Sequence, residues 1–148
     1  FKFLELQERL ALSRGYVETL FGRKREFKFD KNGLGRLRGK DPYEIDLATA
    51  RRAGMEAQLL RAAANAPIQG SSADIIKIAM VKLNRKLLEM NIPAKMLLQV
   101  HDELLFEVQP DFLDLTTQLV KKTMEDCVKL DVPLLVDIGI GSNWMETK

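Results

Sequence analysis

The stretch MLLQVHDELLFEV, residues 96–108, sets three ionisable side chains, His101, Asp102 and Glu103, between two apolar runs. Each run has the length of a short strand, and the polar centre is the place for a tight turn. The expected elements are strands at Lys95–Val100 and Leu104–Val108 around an acidic tip. Neighbouring side chains alternate along a strand, but at a tight hairpin both carboxylates can stand at the rim. Adjacent carboxylates repel each other and resist desolvation. A hard divalent cation is the usual reason to place them together. Magnesium takes oxygen ligands, often one or two carboxylates, and completes its octahedron with water and substrate phosphates. A polar turn that binds nothing is the plainer alternative.

Upstream of the hairpin, LLRAAANAPIQGSSADIIKIAM carries Arg61 and Asn65 four residues apart, on one helix face. Pro67 is expected to end that helix by pushing Ala66 out of helical geometry. Gln69-Gly70 then read as a turn that could extend the same polar row, and Ser71 or Ser72 as the cap of a new helix with Asp74 in its first turn. This second helix places Ile76, Ala79, Met80, Leu83 and Leu87 at three- and four-residue spacing and stops near Asn91-Ile92-Pro93. Arg, Asn and Gln carry donors suited to the minor groove, where every correct base pair presents the same N3 and O2 acceptors. The plainer alternative is a capped helix with exposed polar residues.

At the start of the chain, residues 2–13 read as an amphipathic helix with Phe3, Leu4, Leu6 and Leu10 on one side, stopped by Gly15. A hairpin follows, with strands at Tyr16–Leu20 and near Glu26–Phe29 and a turn at Gly22. Residues 30–42, with three glycines and a proline among charges, are expected to form a mobile loop. From Tyr43 to Asn65 an Ala/Leu/Met/Arg-rich run favours helix, weakened at Gly54. After the acidic hairpin come an amphipathic helix (Phe112, Leu115, Leu119, Val120, Met124, Val128) and a strand at Leu134–Ile140. No repeat or low-complexity segment interrupts the pattern. The fold class is α+β: a small antiparallel sheet with an acidic-tipped hairpin, backed by long helices.

Composition bounds the function. The 148 residues are the size of one domain, and 46% hydrophobic with 30% charged residues describes an ordinary globular chain. No apolar run approaches the roughly 18 residues of a membrane span, and no signal peptide is visible. One cysteine, Cys127, excludes an internal disulfide; one Cys and one His exclude a Cys/His zinc site. The charge is uneven. Residues 1–61 carry 14 Lys/Arg against 9 Asp/Glu, and residues 62–148 carry 9 against 12. The excess concentrates in RKREFKFDKNGLGRLRGK, residues 23–40, with eight basic and two acidic residues. Such a stripe suits a polyanion, although a solvated loop would look the same.

Four strings in order, GYVETLFGRKR (15–25), RAAANAPIQGSSADIIKIAM (61–80), MLLQVHDELLFEV (96–108) and VPLLVDIGIGSNW (132–144), resemble the C-terminal, palm part of the family A (bacterial polymerase I-like) DNA polymerases. The likeness spans the chain except the loop at about 28–50, which looks longer than that family usually has. It implies that Asp102 is the second catalytic aspartate, a ligand of two Mg2+ ions joining a primer 3′-hydroxyl to an incoming deoxynucleoside triphosphate. Glu103 corresponds to the neighbouring carboxylate, which supports the site and is less often a direct metal ligand. His101 corresponds to a residue contacting the primer terminus. Arg61, Asn65 and Gln69 correspond to the group touching the primer–template minor groove, and Arg23, Lys24 and Arg25 to a region near the duplex backbone. One departure stands out: the family often has Glu before the arginine, where this chain has Leu60.

The family's first catalytic aspartate and its fingers helix have no counterpart in these residues. Residues 1–148 are therefore expected to be one part of a longer polymerase, as the opening on Phe1 without a methionine also suggests, and to depend on the remainder of that chain for synthesis. The resemblance implies action in the cytoplasm or nucleoid, or in a DNA-containing organelle, without secretion. A phage-type single-subunit RNA polymerase is the nearest rival, but those typically carry Ser where this chain has Glu103. A non-catalytic nucleic-acid-binding module derived from the same fold is the second, and the intact Asp102 weighs against it.

Overall fold

A computed structural model describes residues 2–147, in two compact units, Phe1–Ser72 and Ala73–Lys148. The fold is α+β: helices with two two-stranded antiparallel sheets among the described residues.

The first unit opens with helix α1 (Lys2–Arg14). Its buried face is Ala11 and Leu12 together with Gln7, Glu8 and Ser13, while Phe3 is half exposed. Of the expected Phe3/Leu4/Leu6/Leu10 stripe, Leu10 packs against the core, Leu4 and Leu6 are partly buried and Phe3 is exposed, while the most buried face includes a charge. Glu8 can be buried because Arg51 donates to its Oε2 from Nε at 3.0 Å and from Nη2 at 2.6 Å. Gly15 ends α1 at φ +72°, its N–H returning to the Ala11 carbonyl at 2.8 Å. A side chain there would be strained by the positive φ and would displace the Arg38 guanidinium, which occupies the space a Cβ would need.

Strands β1 (Tyr16–Glu18) and β2 (Lys24–Glu26) pair in antiparallel register, shorter than the sequence suggests. Thr19 closes the hairpin: its Oγ1 accepts from the Phe21 and Arg23 amides, and Gly22 turns at φ +78°. Beyond it, Phe29, Leu34, Leu37, Ile45, Leu47, Ala50 and Ala53 form a core with Leu12 and Leu60. Residues 28–55 thus make a small lobe with its own apolar filling. The expected helix from Tyr43 to Asn65 is broken there into a 3-10 turn (Pro42–Glu44), helix α2 (Leu47–Ala50) and a turn at Gly54, φ +60°. Asp41 and Asp46 accept backbone amides at the starts of the two short pieces, so capping and turn chemistry interrupt a run that propensity alone would continue.

Helix α3 (Glu56–Glu89) runs 34 residues and contributes to both units. It passes through Pro67 without ending, contrary to the expected break. Gln69-Gly70 are helical, not a turn, and Ser71 and Ser72 cap nothing. Proline in a helix interior costs about 3 kcal/mol through a lost hydrogen bond and a ring clash. Here tertiary packing outweighs it: Ala63, Ala66 and Pro67 are buried, the two alanines against Ala11, Val17 and Phe27. Ser71 braces the weak turn, its Oγ donating to the Pro67 carbonyl at 2.5 Å and accepting the Leu20 amide at 2.8 Å.

In the second unit α3 buries Ile76, Ala79, Leu83 and Leu87 and stops at Asn91, φ +50°, with the Ile92 amide on the Leu87 carbonyl. Strands β3 (Ala94–Val100) and β4 (Glu103–Val108) form the expected hairpin, with a bulge that leaves Leu97 without a partner across the ladder. Helix α4 (Leu113–Glu125) buries Thr116, Val120 and Thr123. Lys82 and Lys86 of α3 tie it down, donating to the Cys127 carbonyl at 2.7 Å and the Thr123 hydroxyl at 3.0 Å. The expected strand at Leu134–Ile140 is absent. That segment pairs with no strand among the described residues, and the Val136 amide goes to the Glu125 carboxylate at 3.1 Å.

Candidate functional site

The acidic tip is a two-residue loop. Val100 pairs with Glu103 across the ladder, which leaves His101 and Asp102 to turn the chain. His101 adopts φ +53°, a left-handed conformation at a loop position where glycine is usual. The Gln99 side chain donates from Nε2 to the His101 carbonyl at 2.5 Å and fixes the turn from one side. All three residues, His101, Asp102 and Glu103, are exposed, so the sheet lifts the carboxylates out of the apolar strands that carry them. The bulge at Leu97 lies just before the tip; bulges recur beside sites because they re-aim the strand end.

As a cation site the tip is suitable but partial. Its donors are hard carboxylate oxygens open to solvent, as magnesium requires. Among the described residues no group of three or more His, Cys, Asp or Glu is gathered closely enough to hold a metal. Asp102 and Glu103 can therefore supply only part of a coordination shell.

The polar row on α3 is better ordered than the sequence implied. Because the helix continues through Pro67, Arg61, Asn65 and Gln69 stand at successive four-residue steps, each turned by about 40° from the last. All three are exposed, while Leu60, Ala63, Ala64 and Ala66 face the core. The row is one continuous strip of donors on a rigid element.

The basic hairpin meets this helix directly beyond Gln69. Arg23 Nη2 donates to the Gly70 carbonyl at 3.0 Å. A Cβ on Gly70 would stand 2.6 Å from Thr19 Cγ2, so glycine is what lets the hairpin approach. Lys24 lies over the Tyr16 ring at 4.6 Å and 3.8 Å from the Glu18 carboxylate; Arg25 lies over Phe27 at 5.4 Å. The three cations remain exposed, but Arg23 also anchors the hairpin to α3.

Sequence reasoning missed two charges that organise this unit. Glu8 is buried against Arg51, and Glu56 accepts the backbone amides of Asp30 and Leu34 at 2.7 and 3.0 Å. Partners 43, 26 and 22 residues away leave no local signal.

Comparison with known proteins places the chain in a family. The family model described as DNA polymerase family A matches residues 1–146. DNA polymerase I of Synechocystis sp. is 53% identical over 148 residues, covering all of this chain and 15% of that protein. The thermostable DNA polymerase I of Thermus filiformis is 46% identical over 136 residues, covering 92% of this chain and 14% of that one. The chain thus spans about 15% of the length of these relatives. Among solved structures, the polymerase domain of Pol1 from M. smegmatis, in complex with DNA primer-template and dNTP, superposes with a TM-score of 0.77 at 34% identity, covering 99% of this chain and 23% of that one. Matched by the family model over residues 1–146, the chain belongs to DNA polymerase family A.

Proposed function

We propose that the chain forms the palm part of a polymerase that adds deoxynucleotides to a primer 3′-hydroxyl, and that it acts with the remainder of that polymerase. The observation that carries this reading is the exposed acidic tip, with Asp102 held in a two-residue loop behind a strained His101. Mg2+ bound there would supply charge neutralisation and activation of the primer hydroxyl during phosphoryl transfer. Asp102 is the chain's main ligand for it, and Glu103, at the first ladder position, is the supporting carboxylate. His101 stands beside them as a contact for the primer terminus.

The α3 row acts on the DNA. Arg61, Asn65 and Gln69 donate to minor-groove acceptors common to all correct base pairs, and so sense pair shape without reading sequence. Arg23, Lys24 and Arg25 supply sequence-independent attraction to the backbone. The substrates are primer–template DNA and deoxynucleoside triphosphates, the ligands named for the M. smegmatis structure.

Comparing Asp102→Ala with Glu103→Ala in primer extension by the complete enzyme tests the assignment. Asp102→Ala should be the more damaging; the reverse order would exchange the two roles.

A further inference from the structure

Glu56 stands at the first position of α3, one turn and a residue before Arg61. Its two carboxylate oxygens serve different amides of the 28–55 lobe: Oε1 accepts from Asp30 at 2.7 Å, and Oε2 from Leu34 at 3.0 Å. The loop is shaped to receive it. A Cβ at Gly33 would lie 2.2 Å from Glu56 Oε2, so a side chain there would push the carboxylate out of its present place. The Asp30 carbonyl accepts the Gly33 and Gly35 amides and holds the loop in this form. Four residues along, Leu60 is fully buried against Leu12, Leu34, Ile45, Leu47 and Ala50. The start of α3 is thus fixed at two points, by charge-assisted hydrogen bonds at Glu56 and by apolar packing at Leu60, and Arg61 follows directly.

We propose that Glu56 is a positioning residue for the donor row of α3: by binding the amides of Asp30 and Leu34, it sets where Arg61 stands against the primer–template duplex. The proposal rests on the reading of that row as a sensor of the terminal base pair. A carboxylate accepting backbone amides makes charge-assisted hydrogen bonds, roughly twice as strong as neutral ones. Losing them frees the helix start, and a misplaced Arg61 no longer rewards a matched pair. The lobe, on this view, is a brace for the helix.

The test uses the complete polymerase and single-turnover extension from matched and mismatched primer termini. Glu56→Ala should slow matched extension about three- to tenfold and mismatched extension little, with Glu56→Gln between it and the wild type because the amide keeps one acceptor. The double variant Glu56→Ala/Arg61→Ala should discriminate no worse than Arg61→Ala alone, as residues acting through one another are non-additive. Hydrogen exchange of peptides covering residues 30–34 should rise in Glu56→Ala, and if that variant does not fold, Glu56→Gln carries the same comparisons. Faster exchange with unchanged discrimination, while Arg61→Ala narrows it, overturns the positioning role and leaves Glu56 as a loop staple. Additive losses in the double variant overturn it too. If Arg61→Ala itself leaves discrimination intact, the reading of the donor row fails, and the proposal with it.

Discussion

Arg23 and Gly70 are joined by a 3.0 Å hydrogen bond from the guanidinium to the helix carbonyl, one residue beyond Gln69. The bond ties the basic hairpin to the donor row, so a change at the hairpin reaches the row through its packing.

Gly70→Ala tests this contact. In an exposed helix interior the change would stabilise by up to about 1 kcal/mol. Here the new methyl meets Thr19 Cγ2 at 2.6 Å, on a buried side chain that also closes the hairpin. A net destabilisation of about 1–3 kcal/mol is expected in denaturant unfolding of the complete enzyme. A gain in stability would mean that the hairpin yields freely.

Gln69→Ala should slow extension from matched primers by roughly ten- to hundredfold and mismatched extension much less. All four correct terminal pairs should be affected alike, since the acceptors are shared. Equal slowing of matched and mismatched termini, measured in single turnovers, would show that Gln69 positions the backbone and does not sense the pair.

Neutralising Lys24 and Arg25 should make log K for primer–template binding less steep against log salt, by roughly 0.9 for each lost phosphate contact. Arg23 is kept in this variant because it anchors the hairpin to Gly70. An unchanged slope would return these cations to a purely intramolecular role over Tyr16 and Phe27.

The Glu8–Arg51 pair should respond unequally to truncation. The Glu8 side chain is 6% exposed and that of Arg51 46%. Arg51→Ala strands a buried carboxylate, whereas Glu8→Ala leaves a cation that water can reach. Arg51→Ala is therefore expected to be the costlier by about 1–3 kcal/mol, read from denaturant midpoints. Equal losses would show that Glu8 gains water once Arg51 is gone.

Where local rules and packing agree, the sequence is legible. The β3–β4 hairpin follows from two apolar runs around a polar tip, and its strand bounds move by one residue at most. Gly15 and Gly22 turn the chain where turns were expected, each at positive φ. Pro67 misleads because its local penalty is real but smaller than the packing of Ala63 and Ala66 under the first hairpin. The alternation at 134–140 misleads for another reason: period-two apolarity describes a chain suited to a ladder, and a ladder needs a partner. Glu8, Arg51 and Glu56 were invisible because their partners lie far away in sequence.

We propose Asp102 as the metal-binding catalytic carboxylate at the hairpin tip. Its most direct test is Asp102→Ala in the complete enzyme, with single-turnover nucleotide incorporation and primer–template affinity measured separately. Removing a metal ligand strikes the transition state, whereas DNA affinity rests mainly on phosphate contacts. Incorporation should be abolished while affinity stays close to wild type. Near-normal incorporation by the Ala variant would contradict it.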